Sequence, residues 1–182
     1  MNRTVANTVI AGLLLLGVVL ACSSGFETEK ANQLVAQGNS AIDEGKKYFV
    51  DAEDKKNRML RTDVSHLADA RALANDAIKA YDQAQAKAKE AAAKYEEASK
   101  LNLSDKYKEY LSLKVKEYNK RAELIETLRS TPQALLDSQS RSSFISSANA
   151  ANEKAERVHK EAEDLGAQAD KVEKDNPDIF KK

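Results

Sequence analysis

The amino-acid sequence predicts an all-α protein, an elongated antiparallel four-helix bundle with alanine and glycine seams and left-handed, coiled-coil-like packing. Apolar residues recur at spacings of three and four almost throughout the chain, which is typical of amphipathic helices, and no alternating strand pattern is present. Three of the four predicted helices carry a column of alanine or glycine repeated every seven residues. Such a repeat drifts by about 20° per heptad against a straight helix, so the helices are expected to supercoil left-handedly.

The first two predicted helices carry the clearest small-residue seams. The first is expected from Phe26 to Leu60, with Ser24 and Glu27 as its capping box. Its seam consists of Ala31, Gly38, Gly45, Ala52 and Met59. The second is expected from about Val64 to Lys100, capped by Thr62 or Asp63. One of its two columns consists of Ala70, Ala77, Ala84, Ala91 and Ala98. The other consists of Leu67, Ala74, Tyr81, Ala88 and Tyr95. Small residues at these positions let two helix axes approach to about 8 Å.

The last two helices follow the same pattern, with one interruption. The third is expected from about Asp105 to Arg129, and Thr131 and Pro132 predict a stop and a restart, because proline suits the first turn of a helix. The fourth is expected from Pro132 to Lys174, with a break near residues 137–144, where serines cluster and weaken the helix. Its columns are Phe144, Ala151, Val158, Leu165 and Val172, and Ala148, Ala155, Ala162 and Ala169.

The amino terminus has the pattern of a targeting signal. A single basic residue, Arg3, precedes an apolar run from Val9 to Ala21, which is shorter than the ~20 residues that a membrane-spanning helix needs. The run closes on Val19-Leu20-Ala21-Cys22, which resembles the lipobox of bacterial lipoproteins. The resemblance implies that residues 1–21 are a removed signal peptide, that Cys22 is acylated and that residues 22–26 are a lipidated tether. The alternative is a buried thiol in an uncleaved membrane segment.

The same resemblance implies a lipid-anchored protein of the cell envelope. Ser23, rather than aspartate, follows the cysteine. In lipoproteins of diderm bacteria, this favours the outer membrane over the inner membrane, with the protein at the periplasmic face or at the cell surface. Residues 27–176 then form a single bundle domain and residues 177–182 a tail. Acidic and basic residues nearly balance, which argues against a dedicated nucleic-acid binder. Cys22 is the only cysteine, which excludes a disulfide or a cysteine-metal site within one mature chain.

Few residues are candidates for chemistry. His66 and His159 are expected on the surface and at least ~20 Å apart, and no metal-binding motif accompanies them, so we expect no metal and no cofactor. The serines around Arg141 and Phe144 have no partner base, so we expect no enzyme. Ser138, Arg141 and Phe144 instead mark an adaptable surface for contact with a partner. Glu117 and Arg121 are expected to form one of several exposed ion pairs at four-residue spacing.

The inward tyrosines, Tyr81, Tyr95, Tyr107 and Tyr118, have two interpretations. They line a ligand cleft, or they fill the bundle while their hydroxyls reach water at the seam edge. The second is preferred, because the tyrosines are spread over several turns of the sequence rather than clustered.

The carboxyl terminus, Phe180-Lys181-Lys182, resembles that of peptidoglycan-linked outer-membrane lipoproteins. An ordinary charged tail is preferred to covalent attachment, because the order of four helices returns this end to the lipid end of the bundle.

The predicted function is a non-catalytic, lipid-anchored envelope lipoprotein that acts as a scaffold or a partner-binding module. Its partners are the membrane, through the lipid, and a protein; a peptidoglycan contact is a weaker hypothesis and nucleic acid is not expected. The alternative is a sensor or carrier with a ligand pocket between helices, against which the regular alanine columns argue.

Overall fold

The computed structural model describes the backbone of residues 4–180 and the side chains of residues 27–63 and 65–180. Four long helices follow one another: α1 at Thr4–Arg61, α2 at Leu67–Ser99, α3 at Asp105–Asp137 and α4 at Arg141–Asp175. A short helix, α5, covers Pro177–Phe180, and a single 3-10 turn, Val64–His66, precedes α2. The described part of the chain contains no strand, and the predicted all-α four-helix bundle is confirmed.

The proposed signal peptide, the lipidation site Cys22, the capping residue Ser24 and the tether at residues 22–26 lie outside the residues whose side chains are described. Among the described residues, no helix carries an apolar stretch of the length that a bilayer crossing requires.

Each long helix packs against the next one in the chain. α1 pairs with α2, α2 with α3 and α3 with α4, whereas α1 touches α3 only slightly. Within the described residues, α1 and α4 do not form a packed pair. The connections are short, so the helices run alternately up and down. The bundle is therefore open along the side between its first and last helices.

The predicted small-residue seams lie in the core. All five seam residues of α1 are buried, as is the complete α2 column from Ala70 to Ala98. In α4, Ala151, Ala155, Val158, Ala162 and Ala169 are buried. The other predicted column residues of α4 are half-buried, namely Phe144, Ala148, Leu165 and Val172. Leu67, expected inward, is 47% exposed, because it begins α2 at the end of the bundle, where no neighbouring helix covers it.

The predicted stop at Arg129 and restart at Pro132 are wrong, because α3 continues through Pro132 to Asp137. A proline inside a helix removes one backbone hydrogen bond and costs about 3 kcal/mol. Here the Pro132 ring is fully buried, and Leu135 and Leu136 beyond it pack on a cluster that contains Met59. Burial of this last turn offsets the local cost, so tertiary packing decides where the helix ends.

The chain instead leaves the helical path at residues 138–140, inside the segment where the serine cluster favours a break. The side chain of Ser140 caps α4 by accepting a hydrogen bond from the backbone N–H of Ser143 at 3.2 Å. At the same end of the bundle, Asp63 caps the 3-10 turn and accepts from the N–H of Ser65 at 2.8 Å. The two turns lie side by side and form one end of the bundle, which we call the tip.

The opposite end of the bundle is closed by the carboxyl terminus. The segment predicted as a charged tail forms α5, and the ring of Phe180 packs on Tyr107 and Tyr110, at centroid distances of 5.2 and 4.9 Å. Lys181 and Lys182 lie outside the described residues. The last aromatic residue of the chain is therefore part of the core rather than of a free tail.

Candidate functional site

Three of the four inward tyrosines pack together with Tyr110, and the fourth, Tyr81, lies apart from them against Phe49. Tyr95 lies 5.2 Å from Tyr118 and 6.5 Å from Tyr110, between ring centroids, and Tyr107 lies 6.3 Å from Tyr110. These rings are all buried, which agrees with the preferred interpretation that the tyrosines fill the bundle. The expectation that they do not cluster is wrong for Tyr95, Tyr107 and Tyr118, which meet because α2 and α3 run side by side.

The tyrosine hydroxyls also do not reach water at the seam edge. Tyr95 donates to Oδ1 of Asn39 at 2.7 Å, and Tyr107 donates to Oδ1 of Asn32 at 2.5 Å. Tyr81 donates to the carboxylate of Glu53. Each acceptor lies on α1, so these bonds fix the position of α1 against α2 and α3. Burial raises the pKa of Tyr81 and of Tyr95 well above the ordinary value for a phenol.

The two histidines are exposed, as expected. His66 accepts or donates at Nδ1 to the hydroxyl of Ser65, 3.0 Å away, and Nε2 of His159 lies 3.3 Å from a carboxylate oxygen of Glu163. Among the described residues, no group of three histidine, cysteine, aspartate or glutamate side chains could hold a metal ion. That the purified protein carries no metal or other cofactor stays a prediction.

A buried ion cluster lies between α3 and α4. Glu117 is only 2% exposed, and its two carboxylate oxygens receive Lys114 at 2.6 Å and Arg121 at 2.7 Å. Gly166 of α4 leaves the space for this carboxylate, since a Cβ atom there would lie 3.3 Å from Cδ of Glu117. The pair of Glu117 and Arg121, expected to be exposed, therefore joins a buried carboxylate to an exposed guanidinium, and the glycine on the facing helix leaves room for the carboxylate.

The three residues predicted to contact a partner lie together at the tip. Ser138, Arg141 and Phe144 line one concave site of about 440 Å³ between the two turns. We call this concavity the tip site. Phe144 is half-buried against Met59, and Arg141 is exposed.

Exposed apolar side chains converge on the tip site. Large hydrophobic residues are strongly exposed at four described positions, and three of these, Leu60 at 50%, Leu67 at 47% and Ile145 at 45%, line the tip site. The fourth, Val50, lies elsewhere on α1. Sequence patterns did not indicate this convergence, because Leu67 fits an inward column and the capping residues of the two turns, Asp63 and Ser140, are 77 residues apart in the chain.

A second concave site, which we call the groove, lies midway along the bundle on its open side. It has a volume of about 410 Å³ and contains side chains from all four long helices. Its floor is made by Ala84 and Ala88 of α2, and its walls include Ile42 and Phe49 of α1 and Leu128 of α3. The alanine columns were expected to argue against a pocket; here Ala84 and Ala88 are buried at the base of one, and the surface left open is that of the half-buried apolar side chains around them.

Charged side chains stand only at the rim of the groove. Lys46 of α1, Arg121 of α3, and Glu156 and His159 of α4 line it, and all four are exposed. The ammonium group of Lys46 pairs with exposed Asp43 at 3.0 Å.

Both sites can bind by burial of apolar surface. Comparisons of the chain with family models, with curated proteins and with solved structures find no match.

Proposed function

We propose that this protein is a non-catalytic, lipid-anchored module of the bacterial cell envelope that binds a partner protein at its tip site. The observation that carries the proposal is the convergence of Leu60, Leu67 and Ile145 on one concave surface. Contiguous exposed apolar surface rimmed by polar groups marks interaction sites in soluble proteins.

The polar rim of the tip site suits a protein partner. Arg71 and Arg141 line it, and within the described residues neither forms an ion pair. Arginine and aromatic residues are enriched at protein interfaces, and arginine is among the residues that contribute most to the binding energy. The half-buried Phe144 would supply the aromatic anchor.

The length of the bundle gives the tip site its place in the envelope. From Glu27 to Arg61, α1 extends about 51 Å at 1.5 Å per residue. If Cys22 carries the lipid, the tip site is presented on the far side of the bundle from the membrane. Within the described residues, α5, where Phe180 packs on Tyr107, lies at the end of the bundle opposite the tip site.

The anchor is tested by removing its cysteine. We expect the Cys22→Ala variant to incorporate no palmitate and to leave the membrane fraction. Several acyl chains on one residue bind a protein firmly to a membrane, and the variant would have none. A mature protein that begins before Cys22 would contradict the proposal. Localisation at the outer membrane is tested by separating the two membranes in the same preparation.

The partner is tested by photo-crosslinking in cells. A photoreactive residue placed at Ile145 should give a discrete adduct with one protein, whereas the same residue at Val50, which is 67% exposed and remote from the tip site, should not. Leu67→Lys should abolish the adduct at 145. Equal adducts at 145 and 50, or none at 145, would count against the tip site as the binding surface.

A second candidate function is a carrier or sensor of an apolar ligand. The groove is the observation that favours it, since pockets for small molecules are concave, mostly apolar and commonly placed between helices of bundles.

A further inference from the structure

We propose that α4 and α5 open from the bundle as one unit while α1, α2 and α3 stay folded. The turn at residues 138–140 is the hinge of this motion, and the contacts of α5 with the core are its latch. The inference does not depend on what binds the tip site or the groove.

α4 buries little apolar surface against the rest of the bundle. It packs along α3 and, within the described residues, forms no packed pair with α1. Its five buried side chains are four alanines and Val158, and an alanine methyl group contributes little burial. The aromatic side chains that this part of the chain places against the core are Phe144, at one end of α4, and Phe180, in α5.

α1 lies at the other edge of the bundle, but its contacts are larger and more specific. The side chains of Leu34 and Met59 are buried. The hydroxyl groups of Tyr81, Tyr95 and Tyr107 donate hydrogen bonds to side chains of α1. Separation of α1 would break these bonds and expose large apolar side chains to water, so α4 is the edge helix that opens at the lower free energy.

The buried carboxylate of Glu117 does not attach α4 to α3. Its two partners, Lys114 and Arg121, lie on α3 as well, so both ion pairs persist when α4 leaves. Gly166 of α4 covers this carboxylate, since a Cβ atom there would lie 3.3 Å from Cδ of Glu117. Closure of α4 therefore removes water from a charged group without adding a partner for it, and this desolvation opposes closure.

The ion pairs that do join α3 to α4 are at the surface. Lys120 contacts Glu161 at 2.7 Å, and Lys154 contacts Glu123 at 4.0 Å. The four side chains are between 35% and 55% exposed. Exposed pairs of this kind contribute little to stability, so they do not compensate for the small apolar contact of α4.

Both concave sites are complete only while α4 is closed. The tip site takes Arg141, Phe144 and Ile145 from α4, and the groove takes Ala155 and His159. Opening would remove these side chains from both sites. A molecule that binds either complete site would therefore favour the closed state, and α4 acts as a strap that assembles the two sites.

The test is hydrogen–deuterium exchange of the full-length protein in lipid nanodiscs, followed by mass spectrometry at several urea concentrations below the unfolding midpoint. Backbone amides at residues 151–170 should exchange about 100-fold faster than those in the middle of α2, because opening of one unit needs less free energy than global unfolding. Their exchange should accelerate with urea at a smaller slope than that of α2, since the opening exposes less surface.

Two variants distinguish opening of α4 from unfolding of the whole bundle. Ala52→Gly, at a fully buried position of α1, should raise exchange in α2 about tenfold, because glycine weakens a helix and leaves the space of a methyl group empty. It should leave exchange in α4 unchanged, because Ala52 packs in a cluster formed by α1, α2 and α3.

The second variant removes the latch. Phe180→Ala should raise exchange at residues 151–170 about tenfold, because the closed state loses a half-buried aromatic side chain. Val50→Ala, at a position of α1 that is 67% exposed, is the control and should not raise it.

Three outcomes would overturn the inference. Equal exchange of α4 and α2 in the unchanged protein, or the same acceleration of both helices by Ala52→Gly, would show that α4 unfolds only with the whole bundle. Exchange in α4 that responds neither to urea nor to Phe180→Ala would show local fraying in place of the opening of a unit. Crosslinking at Ile145 reports separately on the partner function.

Discussion

The closest approach of α1 to α2 is expected to depend on the absence of a side chain at Gly38. A Cβ atom at this position would lie 2.7 Å from Cε2 and 2.9 Å from Cδ2 of Tyr95. The Tyr95 ring has little freedom to move, since it is 1% exposed, packs on Tyr118 at 5.2 Å and donates its hydroxyl to Asn39. We therefore predict that Gly38→Ala destabilises the protein.

Two opposing effects set the magnitude. Alanine is favoured over glycine in a helix interior by about 1 kcal/mol, which stabilises the variant. Overpacking a tight interface costs about 1–3 kcal/mol. The contact at Gly38 is shorter than any that real Cβ atoms show, so the cost should lie in the upper part of this range. The net effect is a loss of about 1–2 kcal/mol, which lowers the melting temperature by about 2–8 °C for a domain of this size.

The assay is thermal and urea denaturation followed by far-ultraviolet circular dichroism, with Tyr95→Leu as a second background. Removing the ring removes the clash, so in that background Gly38→Ala should stabilise the protein through helix propensity alone. Gly45→Ala is a milder companion, because its Cβ would lie 3.0 Å from Cβ of Lys87. A Gly38→Ala variant as stable as the unchanged protein, or the same loss in both backgrounds, would refute the steric argument.

Three further predictions concern the buried charge, the buried phenols and the turn at the tip. Glu117→Gln should lower the free energy of unfolding by about 3 kcal/mol, because the buried charge of Lys114 loses its partner. Glu156→Gln, at an exposed position, should change it by no more than about 0.5 kcal/mol. Equal urea midpoints for the two variants would contradict this prediction. Burial raises the pKa of Tyr107 to about 12. The contribution of Tyr107 to the free energy of unfolding should therefore be complete below the ordinary phenol pKa of about 10 and be lost as the pH rises through 12. Tyr107→Phe should lose less stability over that interval, as measured by circular dichroism and tyrosinate absorbance, and an identical pH profile would contradict the prediction. Backbone amides at residues 138–140 should exchange faster with solvent than those of the adjoining helices, and uniform protection across this turn would show that it is not a separate flexible element.

The helices and their seams could be predicted from the sequence because each depends on short-range periodicity. An alanine or glycine every seven residues, as in the column from Ala70 to Ala98, places those residues on one face whatever lies opposite. The end of α3 could not be predicted in the same way. Pro132 is a strong local signal against a helix, and it is outweighed only by burial against residues of α1 and α2 that are distant in the sequence.

The candidate sites were predictable only in part, for a related reason. Ser138, Arg141 and Phe144 could be found because a serine cluster weakens a helix locally. Leu60 and Leu67, which complete the tip site, have no local signal that separates them from core residues. The burial of Glu117 likewise depends on Gly166 in another helix.

The groove follows from a difference between the two apolar stripes of α1. One stripe contains Gly38 and Gly45, and its small residues draw α2 close. The other contains Val35, Ile42 and Phe49, again seven residues apart, and all three are only half-buried. In a closed bundle this second stripe would pack on α4, but in the described residues α1 and α4 are not a packed pair. Periodicity in the sequence shows that a stripe is apolar, but it does not show which molecule covers the stripe. A stripe covered by a helix of the same chain and a stripe covered by a bound ligand have the same sequence pattern. The half-buried stripe beside Ala84 and Ala88 is therefore a second apolar surface of this chain, apart from the tip site.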